Sequence, residues 1–167
     1  LSRLGDDRPG VGVDGDSGLP DIAWSAEIPA GTYTIGDNKG RTDEEKTHSA
    51  KVDWPFRLAR YPITNEQFQC FVEAEDRDNE TWWKNIPDKE RQFSKPRWAY
   101  ANNPRENVSW YQAMAFCRWL TRKLHNGILP AGPLSGELKQ YAITLPHEFE
   151  WEVAARWPNE NVQQRIY

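Results

Sequence analysis

The feature that most constrains this chain is the run Pro104 to Leu124, PRENVSWYQAMAFCRWLTRKL. Ser109 stands where a helix N-cap belongs, and Gln112 follows three residues later. At that spacing the two side chains satisfy each other's backbone N–H groups. Beyond the cap, Ala113, Phe116, Cys117, Leu120 and Leu124 recur at intervals of three and four residues. A helix gathers them into one apolar stripe about 100° wide. Arg118 and Arg122 leave from another face. A stripe of that width has to be covered, so the rest of the chain is read for what covers it.

Ahead of this helix, Thr32, Tyr33, Thr34 and Ile35 are strand formers closed by Gly36, with Pro29 and Gly31 marking an irregular edge before them. Residues 37–49, DNKGRTDEEKTHS, read as a solvated charged loop; its one cation-binding candidate is the cluster Asp43, Glu44, Glu45 and His48. Val52, Trp54, Phe56 and Leu58 alternate with polar neighbours and predict a strand with one buried face, bulged or edge-placed at Pro55. Pro62 ends it. Thr64 and Gln67 form a second capping-box pair, opening a helix that buries Phe68, Phe71 and Val72 and turns Cys70 away. Residues 75–103 read as a long polar loop. Such a loop in a compact domain is usually functional or held by its own anchors. The pair Trp82–Trp83 is read first as a plug onto the core and second as an aromatic ligand site. Trp98 is the third aromatic candidate for ligand contact.

After the central helix, residues 125–140 carry Gly127, Pro130, Gly132, Pro133 and Gly136 and read as a loop. Residues 141–145 are a short extended piece. His147 to Arg156 is a third helix ended by Pro158, with Glu152 and Arg156 as an i,i+4 pair. Residues 1–20 are rich in Gly and Asp and read as a linker or extended arm, with the domain proper over 21–167. The predicted core unites Phe116, Cys117, Leu120, Phe68, Phe71, Trp110, Trp151 and Val153.

The formal net charge of -4 argues against a nucleic-acid partner, and no apolar run is long enough to span a membrane. Two cysteines make no disulfide framework, which points to a cytoplasmic setting. Cys117 lies on the buried stripe and reads as an inert core thiol; Cys70 is a solitary thiol on a helix. His48, His125 and His147 are dispersed, and HEFEW is not H-E-x-x-H, so no metal-ligating motif is present. Glu148, Glu150 and Glu152 read as helix-start charge and surface pairing rather than catalysis. The residues themselves name no catalytic side chain.

Four stretches in order, IPAGTYTIG, YPITNEQFQCFVEA, PRENVSWYQAMAFCRWL and ITLPHEFEWEVAAR, resemble the formylglycine-generating enzyme (sulfatase-modifying factor) family over about Ile28 to Tyr167. The resemblance implies an α+β, C-type-lectin-like fold of the formylglycine-generating-enzyme type, low in regular secondary structure and with long loops. The Trp82–Trp83 loop looks like the bacterial branch in which this domain is fused to kinase, caspase-like or NTPase modules. Variable proteins of diversity-generating retroelements display the same fold. Ile35 stands where the family often has Met, His147 where it usually has Thr, and residues 121–141 are longer than in the enzymes. The family's copper-binding cysteine pair and calcium ligands follow a Pro-Trp-Gly position just beyond RIY, and neither Cys70 nor Cys117 matches that pair.

The resemblance therefore transfers fold residues and no catalytic or metal residue. It implies a non-catalytic ligand-binding and display module, its ligand a protein or small molecule not further specified. The alternatives are an oxidase that converts a sulfatase cysteine to formylglycine and an iron-dependent sulfur-transfer enzyme. No cofactor belongs to this segment. Calcium, or copper on the oxidase reading, would come with the C-terminal remainder of the domain. That remainder is also the expected partner, as a second chain or an omitted segment, because the wide helix stripes exceed the strands available to cover them.

Overall fold

The chain was analysed as a computed structural model, which describes residues 6, 8–36, 46–126 and 140–157. It divides into two units. One comprises residues 1–23 and 61–145, the other residues 24–60 and 146–167.

The smaller unit is built on a two-stranded antiparallel sheet. β1 (Gly31–Ile35) pairs with β2 (His48–Val52), with Gly31 opposite Val52 and Ile35 opposite His48. Thr32 and Thr34 face water while Ile35 is buried, the alternation a half-covered strand requires. The strand expected over 52–58 is displaced. The ladder runs from His48 and ends at Val52, so His48 and Ser49 are strand rather than loop. Pro55 has no N–H to continue the ladder. Past it, Phe56 exchanges both backbone hydrogen bonds with Ile28 at 3.0 and 2.8 Å, an isolated bridge. Asp43, Glu44 and Glu45 lie outside the described residues.

The last of the described helices covers this sheet. Its residues Glu148–Arg156 place Val153 and Ala154 against Ile28, Ile35 and Val52, with Tyr33, Phe56, Phe149 and Trp157 packed around them. The backbone N–H of His147 donates to Glu150 Oε2 at 2.7 Å, the glutamate half of a capping box. The expected Glu152–Arg156 pair forms. Glu152 also accepts from the Gly36 N–H at 2.7 Å, and Arg156 Nη2 donates to the Gly36 carbonyl at 3.0 Å. The helix ends where expected, with Trp157 extended ahead of Pro158. Trp151 corrects the predicted core: it is 56% exposed. It stands two residues from Val153, about 200° around the helix, and points away from the sheet.

The larger unit is helical. In chain order it holds α1 (Asn65–Val72), the short α2 (Glu80–Trp83), a 3-10 turn (Asp88–Arg91) and α3 (Trp110–His125); the helix of the smaller unit is α4. Both sequence-predicted capping boxes are present, Thr64 with Gln67 on α1 and Ser109 with Gln112 on α3. The α3 stripe buries Phe116, Cys117, Leu120 and Leu124 as predicted, and adds Ala115 and Trp119. Phe68 and Phe71 of α1 meet it, with Phe68 5.0 Å from Phe116 and Phe71 5.5 Å from Trp119 by ring centroids. Trp110 departs from the prediction at 63% exposed. It lies on the stripe's face but two turns ahead of Cys117, and among the described residues its ring meets the edge of Tyr111. Val153 is buried as predicted, yet in the core of the smaller unit rather than with Phe116.

Residues 8–20 of the Gly- and Asp-rich arm run extended and are packed into the larger unit. Val11, Leu19 and Pro20 are buried, and Val13 bridges Pro20. Gln67 closes this contact, donating from Nε2 to the carbonyls of Gly10 and Asp21 while Thr64 Oγ1 donates to the Val11 carbonyl at 3.0 Å. Gly10 is required by geometry. Its φ is +92°, and a Cβ there would sit 2.4 Å from Ala23 Cβ. One uncharged side chain, Gln67, thus satisfies buried backbone that a polar composition does not reveal.

These elements make a mixed α+β architecture with a small open sheet and long irregular segments, as the resemblance implies. Among the described residues no helix is long and apolar enough to cross a membrane.

Candidate functional site

The segment expected as a long polar loop is ordered by its own side chains. Asn79 caps α2 by accepting from the Thr81 N–H at 2.9 Å. That single turn drives Trp82 and Trp83 inward until they are 5% and 1% exposed. Each indole N–H finds a carbonyl of the same segment at 2.7 Å, Trp82 on Asp76 and Trp83 on Arg77. Trp83 stacks on Phe71 with centroids 6.0 Å apart, and Arg118 Nη1 ties the carbonyls of Trp82 and Lys84 to α3. Of the two readings of this pair, the geometry builds the plug. Buried rings with satisfied N–H groups present no face to a ligand.

Trp98, the third aromatic candidate, is placed differently. It is 57% exposed, beside an exposed Tyr100. Its ring carries the Arg97 guanidinium 5.3 Å from its centroid, and its backbone is held. Asn65 Nδ2 donates to the carbonyls of both Trp98 and Tyr100, at 2.6 and 3.0 Å, and the Trp98 N–H donates to Glu106 Oε1 at 3.1 Å. The first-turn N–H groups of α1 are consumed by the same segment, Asn65 on Asn103 and Glu66 on Ala101. A helix start leaves such donors unsatisfied, and here a loop answers them. Residues 96–105 are therefore clamped along the N-terminal end of α1.

Between that segment and α1 lies a cleft of about 650 Å³. Glu66, Gln69, Cys70 and Glu73, spaced along one helical face, form one wall. Pro96, Ala99 and Ala101 form the other, with Val13 and Gly18 of the packed arm and Arg105 completing it. Trp98 and Tyr100 alternate with Ala99 and Ala101 along the segment. The sequence offered one hint of where this site begins, the capping box that fixes the start of α1; Asn65, Glu66 and Arg105 lie in stretches that carry the family resemblance, which gave them no site role.

The lining carries one thiol, that of Cys70. Cys70 is half-buried, its Sγ donates to the Glu66 carbonyl at 3.4 Å, and burial pushes its thiol up to about 11. It stays protonated at neutral pH and is a poor nucleophile. Cys117 is buried in the core and pushed up to about 12 by the same cause. No histidine lines the cleft. His147 stacks on Phe149, and His125 meets the Tyr141 carbonyl at 2.9 Å. Glu148 is exposed, whereas Glu150 is buried and accepts from Trp54 Nε1 at 2.9 Å, so the three-glutamate run serves helix start and packing. Among the described residues no group of three or more His, Cys, Asp or Glu side chains is arranged to hold a metal ion.

Comparison with known proteins gives a consistent set of relatives. The family model for the sulfatase-modifying factor enzyme 1-like domain matches residues 21–165. A serine/threonine-protein kinase Pkn1 of Chlamydia trachomatis is 27% identical over 135 residues, covering 77% of this chain and 18% of the kinase. The hercynine oxygenase of Mycolicibacterium smegmatis is 23% identical over 172 residues, covering 88% of this chain and 35% of the oxygenase. The uncharacterized protein YfmG of Bacillus subtilis is 26% identical over 147 residues, covering 81% and 26%. The chain thus spans between 18% and 35% of the length of these relatives.

Proposed function

Because the chain belongs to the sulfatase-modifying factor enzyme 1-like domain family, matched over residues 21–165, we propose that it is a non-catalytic ligand-binding module. It uses a C-type-lectin-like scaffold to hold binding surfaces in place. The observation that carries this reading is the clamp of Asn65 on Trp98 and Tyr100 beside an open cleft. A pre-organised, partly apolar cleft with a few convergent polar groups is the usual form of a small-ligand site, and a loop fixed before binding loses less entropy when it binds. The two unpaired thiols support a cytoplasmic setting. Display positions diversified by a retroelement are the finer form of the reading. They would appear as substitutions concentrated at Trp98 and Tyr100 among copies of the gene.

The family also holds enzymes, and the similarity to a hercynine oxygenase supports a second reading, an iron-dependent oxygenase or sulfur-transfer enzyme. Formylglycine formation, with copper bound outside the described residues, is the third. One experiment separates them from the first. The full-length protein is incubated in air with a Cys-x-Pro-x-Arg peptide and copper, and separately with hercynine, a thiol and ferrous iron. Mass spectrometry of an unchanged peptide thiol, and oxygen uptake no higher than the protein-free control, are the expected results. An aldehyde on the peptide or substrate-dependent oxygen uptake overturns the non-catalytic reading.

A further inference from the structure

One cation lines the cleft, Arg105. Arg105 is partly buried, its guanidinium stacks 5.0 Å above the Phe68 ring, and Nη2 donates to the Ser94 carbonyl at 2.7 Å. Its Nε is buried without a partner, and among the described residues no carboxylate lies at ion-pair distance. Burial alone holds its pKa below the ordinary arginine value. A desolvated cation without an anion is costly, and the ring beneath it offsets only part of that cost. A second orphan lines the same cleft. Asn65 is 6% exposed, and while its Nδ2 clamps the facing segment, its buried Oδ1 accepts nothing. The cleft lining therefore brings together a guanidinium with one nitrogen held by Ser94 and a buried Nε left unused, and an Asn65 Oδ1 that is likewise buried and unused. The wall opposite Ala99 and Ala101 adds two carboxylates, Glu66 and Glu73.

We propose that this cleft binds a carboxylate whose adjacent carbon bears an N–H nitrogen, as in a free amino acid or a peptide C-terminus, with preference for a basic side chain. The carboxylate takes the Arg105 guanidinium, the geometry for which a planar fork is suited. The N–H faces Asn65 Oδ1, and the basic side chain lies along the Glu66–Glu73 wall. Small residues at Ala99 and Ala101 leave room for the ligand backbone. This rests on the binding-module reading and deepens it.

Cys70 lines the same cleft and gives the test its readout. The full-length protein is alkylated with iodoacetamide, and modification of Cys70 is followed by mass spectrometry, with buried Cys117 as the internal reference. Three probes are compared, free L-arginine, N-acetyl-Gly-Gly-Arg and its C-terminal amide, and their affinities are measured by calorimetry. The acid peptide is expected to slow Cys70 alkylation, and amidation to weaken binding by about tenfold or more. Arg105→Ala should cause a similar loss, and Arg105→Lys, which keeps the charge and most of the stem, an intermediate one. Free arginine matching the acid peptide identifies an amino acid as the ligand; the acid peptide alone binding identifies a C-terminus. Equal binding of the amide, or no protection of Cys70 by either carboxylate at about 10 mM, overturns the proposal. The amide comparison does not depend on any variant folding. Failure here leaves the non-catalytic reading standing, because that reading fails only on turnover of the peptide thiol or on oxygen uptake.

Discussion

The two units bury their cores by different means. In the larger one, six aromatic rings, those of Phe68, Phe71, Trp83, Phe93, Phe116 and Trp119, pack on one another at centroid separations of 5.0–6.1 Å. Indole N–H groups there bond to neighbouring chain: Trp83 to Arg77 and Trp119 to Asp76 Oδ1. The smaller unit buries a short aliphatic set, Ile28, Ile35, Val52, Val153 and Ala154, under one helix. The difference teaches how a chain with a mean hydropathy of -0.87 still makes a core. Each large ring buries about 150–250 Å², so a few of them replace many aliphatic side chains, and their polar edges fasten loops that would otherwise be free. In the smaller unit the rings of Tyr33, Phe56, Phe149 and Trp157 pack around the buried set rather than forming it, and the centre depends on the fit of small side chains.

The comparison can be broken first at Trp83. Trp83→Ala should cost about 3–5 kcal/mol in urea unfolding, since it removes the Phe71 stack and the anchor of the 77–83 segment together. A variant as stable as the parent would show that the aromatic set is not what holds the larger unit. Val153→Ala should cost about 2 kcal/mol, the loss of two methylene equivalents plus a small cavity. If it equals or exceeds Trp83→Ala, the aliphatic core is the stronger of the two.

A third test uses pH. Burial raises the Cys117 thiol from 9.0 to about 12 in the folded chain. The unfolded chain then loses the proton first, so the folded state binds more protons between those values. The thiol's contribution is intact below pH 9 and is lost as pH rises through about 12, with a slope of at most about 1.4 kcal/mol per pH unit. Cys117→Ala should flatten that part of the stability profile relative to the parent; an unchanged slope would mean the thiol is not buried as described. The smallest effect is expected at Trp110, where the ring is 63% exposed and Trp110→Ala should change stability by about 0.5 kcal/mol or less. A loss near that of Trp83→Ala would mean that the Trp110 ring is covered in the working protein.

The sequence by itself determined whatever is settled within a turn or two of chain. Ser109 with Gln112 and Thr64 with Gln67 placed two helix starts correctly, because a capping box is closed by residues three apart. Strand β1, the Glu152–Arg156 pair, the α3 stripe and the family follow from local pattern in the same way. Only the tertiary structure decided what depends on distant partners. The 52–58 alternation suggested a strand, but Val52 and Phe56 took different partners, Gly31 and Ile28. The polar arm became structure through Gln67, 57 residues beyond Gly10, whose amide satisfies buried carbonyls on two segments. Trp82 and Trp110 are the same residue type in helical segments, and one is buried while the other is bare. Side-chain type fixes how much apolar surface a residue can bury; what arrives to cover it is a property of the folded chain. The cleft has the same origin. Asn65, Glu66 and Arg105 sit in stretches that mark the family but not a site, and they become a candidate site only because the open N–H groups of α1 recruit residues 101–103 as their acceptors.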